Sequence, residues 1–203
     1  SPVFGMVFLL GLALAGCAGS PSSKVSTSDA TALKRPAAQA EPLAKEHQMA
    51  LNRARQAMSE ERWEVAQDEL QALQNQRPDV SQIHSSLAWI ALQQGKPHPA
   101  MVAYRKAFDL NPNDAASANN LALLLREQGE FRQAVELLQE GLRYSPNTAD
   151  LHYNLAVVAE LYLLDLELAL THYRRFRELT EQNGEPEGRE VAGWIADLER
   201  RLD

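Results

Sequence analysis

Residues 115–148 read AASANNLALLLREQGEFRQAVELLQEGLRYSPNT. Leu121, Ala122, Ala134, Leu138 and Gly141 are small or apolar and stand on either side of a turn glycine, Gly129, while Pro146 closes the stretch. That order encodes two helices that cross where side chains are small. The same order recurs outward in both directions. Pro78, Pro112 and Pro146 mark a 34-residue period, as do Ala66, Ala100 and Ala134. Ala54, Ala88, Ala122 and Ala156 form a further series, with Leu87, Leu121 and Leu155 beside it and Gly95 paired with Gly129.

These positions resemble the signature of the tetratricopeptide repeat. The unit 115–148 carries it most fully. The unit 81–114 keeps Leu87, Ala88, Gly95, Ala100, Tyr104, Ala107 and Pro112. The unit 47–80 keeps Ala54, Trp63, Ala66, Leu70 and Pro78, with Arg53 where Leu is usual and Glu61 where Gly is usual. The unit 149–182 has Leu163 at the expected turn glycine, and its second-helix alanine arrives one residue late, at Ala169. One residue has therefore entered the turn at 163–166, to be absorbed as a longer turn or a helix bulge. Beyond the helix stop Asn183-Gly184-Glu185-Pro186, Val191, Trp194, Ile195, Leu198 and Leu202 recur at helical spacing. Residues 186–203 read as a capping helix with Trp194 in its core face. The resemblance implies an all-α fold: a right-handed superhelical α-solenoid of four helix pairs, spanning 46–182, plus the C-terminal cap.

The opening residues 1–16, SPVFGMVFLLGLALAG, carry no charge and are too short for a membrane span of about 20 apolar residues. They read as a signal peptide. Residue 1 is Ser and no Lys or Arg precedes the apolar run, so a few residues are expected upstream. Leu14-Ala15-Gly16-Cys17 resembles the bacterial lipobox, and Cys17 is the only cysteine. The resemblance implies a lipoprotein acylated at Cys17. Ala18, where Asp would resemble an inner-membrane retention signal, implies the periplasmic face of the outer membrane. Residues 18–44 are rich in Ser, Thr, Ala and Pro and lack aromatics. With Cys17 and Lys45 they form the segment 17–45, an acylated cysteine and flexible tether with an r.m.s. span of roughly 30 Å.

Composition narrows the function further. The 203 residues carry a net charge of −7, which disfavours nucleic acid as a partner. A single cysteine allows no intrachain disulfide and no cysteine-rich metal site. His84 and His152 stand two repeats apart, too far to share a metal, and read as core or rim residues. No HExxH, phosphate loop or GxSxG is present. The chain is expected to be no enzyme and to use no cofactor, metal or small-molecule substrate.

The resemblance implies that the first helix of each pair lines a concave face. Position 6 of the units reads Asn52, Ser86, Asn120 and Asn154. An amide offers both donor and acceptor, so such a ladder can pair with an extended peptide backbone. Trp89, Leu123 and Val157 at position 9 and Tyr153 at position 5 add an apolar stripe, with Trp89 and Tyr153 as aromatic anchors. Relatives that grip a C-terminal carboxylate use cations here. Ser85, Trp89, Asn120, Asp150 and Asn154 include none, so no such clamp is expected. Known lipoproteins of this build imply a periplasmic scaffold that binds a partner segment, foremost in assembly of a type IV-like pilus or secretion complex. The alternatives are an accessory of a TonB-type system, an adaptor for peptidoglycan hydrolases or proteases, and a self-associating structural module.

Overall fold

A computed structural model describes residues 42–184 and 187–203. The predicted signal peptide, Cys17 and nearly all of the tether lie outside the described residues. Among those described, nine α-helices and no strand occur: α1 (Lys45–Ser59), α2 (Trp63–Gln76), α3 (Ser81–Gln93), α4 (Pro97–Leu110), α5 (Ala115–Glu127), α6 (Phe131–Tyr144), α7 (Ala149–Val158), α8 (Leu166–Asn183) and α9 (Glu187–Leu202). Eight form four antiparallel pairs stacked in chain order, and α9 covers α8. The predicted superhelical solenoid is what forms. No helix among the described residues is long and apolar enough to cross a membrane.

The alanine series explains the stacking. Ala54, Ala66, Ala88, Ala100, Ala122, Ala134 and Ala156 are all at most 1% exposed. A larger side chain at these crossings would force the backbones apart. Gly141 shows the limit: a Cβ there would lie 3.1 Å from Leu151 Cδ1 and 3.3 Å from Ala118 Cβ. The core runs along the stack as three clusters. One lies around α1, α2 and α3, one spans α3 to α7, and one joins α7, α8 and α9. Leu43, inside the predicted tether, packs against the first cluster, so the chain is fixed slightly before α1.

The turns inside the pairs show how the extra residue is absorbed. In the first three, a backbone N–H reaches back five residues: Arg62 to Ala57, Lys96 to Ala91 and Glu130 to Leu125, at 2.8–2.9 Å. Each follows a residue with positive φ, namely Glu61, Gly95 and Gly129. In the fourth turn Asp165 reaches back six residues, to Ala159 at 2.9 Å, and the positive φ falls on Leu164. The intervening Ala159–Leu163 is a π turn. The insertion thus becomes a helix bulge, and the left-handed position moves from the expected Leu163 to Leu164. Glu61 and Leu164 hold this conformation without glycine, at about 1 kcal/mol each.

Two histidines brace the stack. The Nε2–H of His84 donates to the Pro78 carbonyl at 2.8 Å, and that of His152 donates to the Pro146 carbonyl at 3.0 Å. A carbonyl only accepts, so each neutral ring offers its Nδ1 as acceptor. Gln74 donates to that of His84 at 3.1 Å, and His172 Nδ1–H donates to that of His152 at 2.7 Å. Both braces are buried, as the core or rim reading expects. The His172 contact was not foreseen.

Burial, reinforced by the neighbouring His152, holds His172 down at about 4, and burial also lowers His152. The unfolded chain then binds more protons than the native one as pH falls from about 6.5 towards 4. Stability present above pH 6.5 is lost across that window, by roughly 2 kcal/mol after allowing for partial exposure of the rings. Gln at position 172 would copy the Gln74–His84 pair. Thermal melts of His172→Gln across this window are expected to fall less steeply than the wild type, and parallel curves would refute the brace as the source.

Candidate functional site: the first-helix face

The predicted ladder residues sit in unequal surroundings. Asn52 is exposed on α1 and accepts from Arg55 Nη1 at 3.0 Å within its own helix. Ser86 on α3 is half-buried. Asn120 on α5 is half-buried, and its Nδ2 donates to Tyr104 Oη at 3.2 Å. Burial raises the Tyr104 phenol to about 12, so it stays neutral and can hold this bond at any physiological pH. Asn154 on α7 is buried, and its Nδ2 donates to Asn119 Oδ1 at 2.8 Å. That bond ties the first helices of the third and fourth pairs together. Each of Asn120 and Asn154 thus uses its amide nitrogen to fix the side chain.

The apolar stripe divides likewise. Leu123 and Val157 are half-buried on α5 and α7, and Val157 packs against the last core cluster. Trp89 is half-buried, with its ring edge-to-face with Trp63 at 5.1 Å, where it fills the joint between the first two pairs. Tyr153 is half-buried against Phe176 at 5.1 Å, Tyr173 at 6.3 Å and Trp194 at 6.3 Å. Each of these two predicted anchors is therefore partly committed to its own fold.

Trp194 departs from expectation. It is 42% exposed, because the buried stripe of α9 is Val191, Ile195 and Leu198, and Trp194 flanks it. Leu202 is likewise 40% exposed. Trp194 stands beside Tyr153 and Tyr173 as an aromatic wall at the C-terminal end of the first-helix face. The structure therefore brings Asn119, Asn120, Leu123, Tyr153, Asn154 and Val157 together on α5 and α7. Asn52 and Trp89 stand apart, towards the N-terminal end. Tyr104 and Trp194 were not foreseen as neighbours of this face. They come from a second helix and from the cap, outside the repeat position that was read.

A stack of helix pairs with such an amide-bearing, partly apolar face defines a class, the helical-repeat scaffold for protein–protein interaction. Family profiles described as TPR repeat and tetratricopeptide repeat match residues 51–115, 103–136 and 122–161. The chain belongs to the tetratricopeptide-repeat proteins. A 51-residue stretch is 43% identical to Protein O-mannosyl-transferase Tmtc2 of Drosophila melanogaster, covering 25% of this chain and 5% of that protein's length. Solved structures share the fold. Pseudomonas aeruginosa pilF is 22% identical at a TM-score of 0.62, over 77% of this chain and 68% of its own. MamA from Desulfovibrio magneticus RS-1 is 14% identical at 0.59, over 80% of this chain and 99% of its own. YrrB, described as a TPR protein with an unusual peptide-binding site, is 18% identical at 0.55, over 66% and 69%.

Proposed function

We propose that the chain is a lipid-anchored scaffold on the periplasmic face of the outer membrane, holding an extended segment of a partner protein along α5 and α7. The observation that carries the binding site is the pair of fixed amides. Tyr104 orients Asn120 and Asn119 orients Asn154, one repeat apart, beside half-buried Leu123, Tyr153 and Val157. Preoriented amides lose little entropy on pairing with a peptide backbone. Half-buried apolar groups beside them supply the desolvated contact area that backbone pairing alone lacks. The peptide-binding site of YrrB, a protein of the same fold, supports this use of the scaffold. The anchor follows from Cys17 in its lipobox-like setting and the tether from the composition of residues 18–44. A pilus or secretion complex as the setting rests on the likeness of this build to lipoproteins of such machinery.

Peptides selected by display against the wild-type chain provide the test. Asn120→Ala with Asn154→Ala is expected to weaken them by roughly tenfold or more, with helical circular dichroism unchanged. Unaltered affinity would remove the amide ladder as a binding element.

A further inference from the structure

The bulged turn of the fourth pair differs in chemistry as well as geometry from its three counterparts. At the ends of the other first helices the residues before the second helix are Glu60-Glu61-Arg62, Gln94-Gly95-Lys96 and Gln128-Gly129-Glu130. At the fourth they are Leu161-Tyr162-Leu163-Leu164-Asp165. Leu161 is 61%, Tyr162 44% and Leu164 72% exposed, the largest grouping of exposed large apolar side chains among the described residues. The fold holds them out rather than letting them fall inward. The π turn and the left-handed Leu164 push the chain outward, and Tyr162 stacks on Phe131 of the preceding pair at 4.3 Å and 20°. The result is an ordered apolar knuckle of four side chains, Phe131, Leu161, Tyr162 and Leu164, on the turn edge of the solenoid. Contiguous exposed apolar groups of this kind mark interaction sites, and π bulges are frequent at them.

The charges around it narrow the occupant. Residues 159–167 carry Glu160, Asp165 and Glu167 and no cation. Arg201 of α9 lies 3.5 Å from Glu160, which also accepts from Tyr173. Glu127 and Glu130 precede Phe131 and are exposed, with Arg126 and Arg132 outside them. With Glu160 paired, Asp165 and Glu167 leave the edge acidic on the side of Leu164. Anionic lipid headgroups would meet like charge there, and so would the same knuckle of a second copy. We propose that the knuckle is a second docking site, for a segment of a partner protein whose leucine or aromatic side chains are flanked by lysine or arginine. The scaffold would then hold two partners at once, one on the first-helix face and one on the turn edge.

The test uses the full chain carrying Cys17→Ser and three labelled peptides read by fluorescence anisotropy. One has a Leu/Phe centre flanked by Lys, one the same centre flanked by Glu, and one Ser in place of Leu and Phe. Leu161→Ser with Leu164→Gly removes the knuckle, and glycine accepts the positive φ at 164, so the fold is retained. The Lys-flanked peptide is expected to bind best, to lose roughly tenfold in the knuckle variant, and to be unaffected by Asn120→Ala with Asn154→Ala. Absent binding, equal binding of the Lys- and Glu-flanked peptides, or undiminished binding in the knuckle variant would overturn the proposal. Loss in the asparagine variant alone would place the peptide on the first-helix face, sinking the knuckle while sparing that site. Knuckle-dependent sedimentation with phosphatidylglycerol vesicles, or knuckle-dependent dimerisation, in place of peptide binding would likewise overturn it.

Discussion

A Phe108→Ala variant is expected to lose about 4 kcal/mol of stability and to melt roughly 10 °C below the wild type. Phe108 is fully buried near the end of α4 and belongs to the central cluster that joins α3 through α7. Its ring meets Tyr144 edge-on at 6.5 Å, across to the second helix of the next pair. Truncation removes both the transfer free energy of the ring and its packing contacts, and the alanine-lined crossings around it are too rigid to collapse into the space. In a solenoid each pair is stabilised by its neighbours, so a cavity at the central interface weakens the stack on both sides. Chemical denaturation followed by circular dichroism provides the measurement. A loss under about 1 kcal/mol would mean that the pairs fold independently of this interface.

The second large effect concerns where the protein resides. Cys17→Ser is expected to move the protein from the outer-membrane fraction to the soluble periplasmic fraction. On the lipoprotein reading, every acyl chain is attached at this one residue, and each buried methylene contributes about 0.8 kcal/mol. One chain gives marginal binding and two or three give firm anchoring, so losing the site removes the whole of it. Fractionation of wild type and variant, with metabolic labelling by a radioactive fatty acid, reads both location and acylation. A variant that still pellets with outer membrane would contradict lipid anchoring, and labelled wild type is needed for the anchor to stand.

The repeat architecture was legible because its determinants are local and periodic. Alanine at helix crossings and proline after the second helix recur at whole periods, and the burial of Ala66, Ala100 and Ala134 follows from the crossings they occupy. The extra residue of the fourth pair was legible in position but not in form. Spacing shows that a residue has been added. Whether it lengthens the turn or enters the helix depends on which carbonyl the Asp165 N–H reaches, and that is a tertiary choice.

The site was legible in part. Periodicity placed Asn120 and Asn154 one repeat apart, but it could not show that Tyr104 and Asn119 hold them, since those partners occupy other repeat positions. The same limit applies to Trp89, which packs on Trp63, and to Tyr153, which packs on the cap. Helical spacing put Trp194 among the core residues of α9. A stripe carries no information about its own width, and Trp194 falls just outside it. The His152–His172 contact spans 20 residues between unlike repeat positions, so no periodic signal marks it.

The central claim is that the face built by α5 and α7 holds a partner segment, and site-specific photocrosslinking in intact cells tests it most directly. Leu123 is the position for the photo-reactive residue, being half-buried on that face and outside the three core clusters. The account predicts a light-dependent adduct with another envelope protein that disappears when Asn120 and Asn154 are changed to alanine. Adducts only with a second copy of the chain, or a partner adduct that persists in the alanine variant, would contradict it.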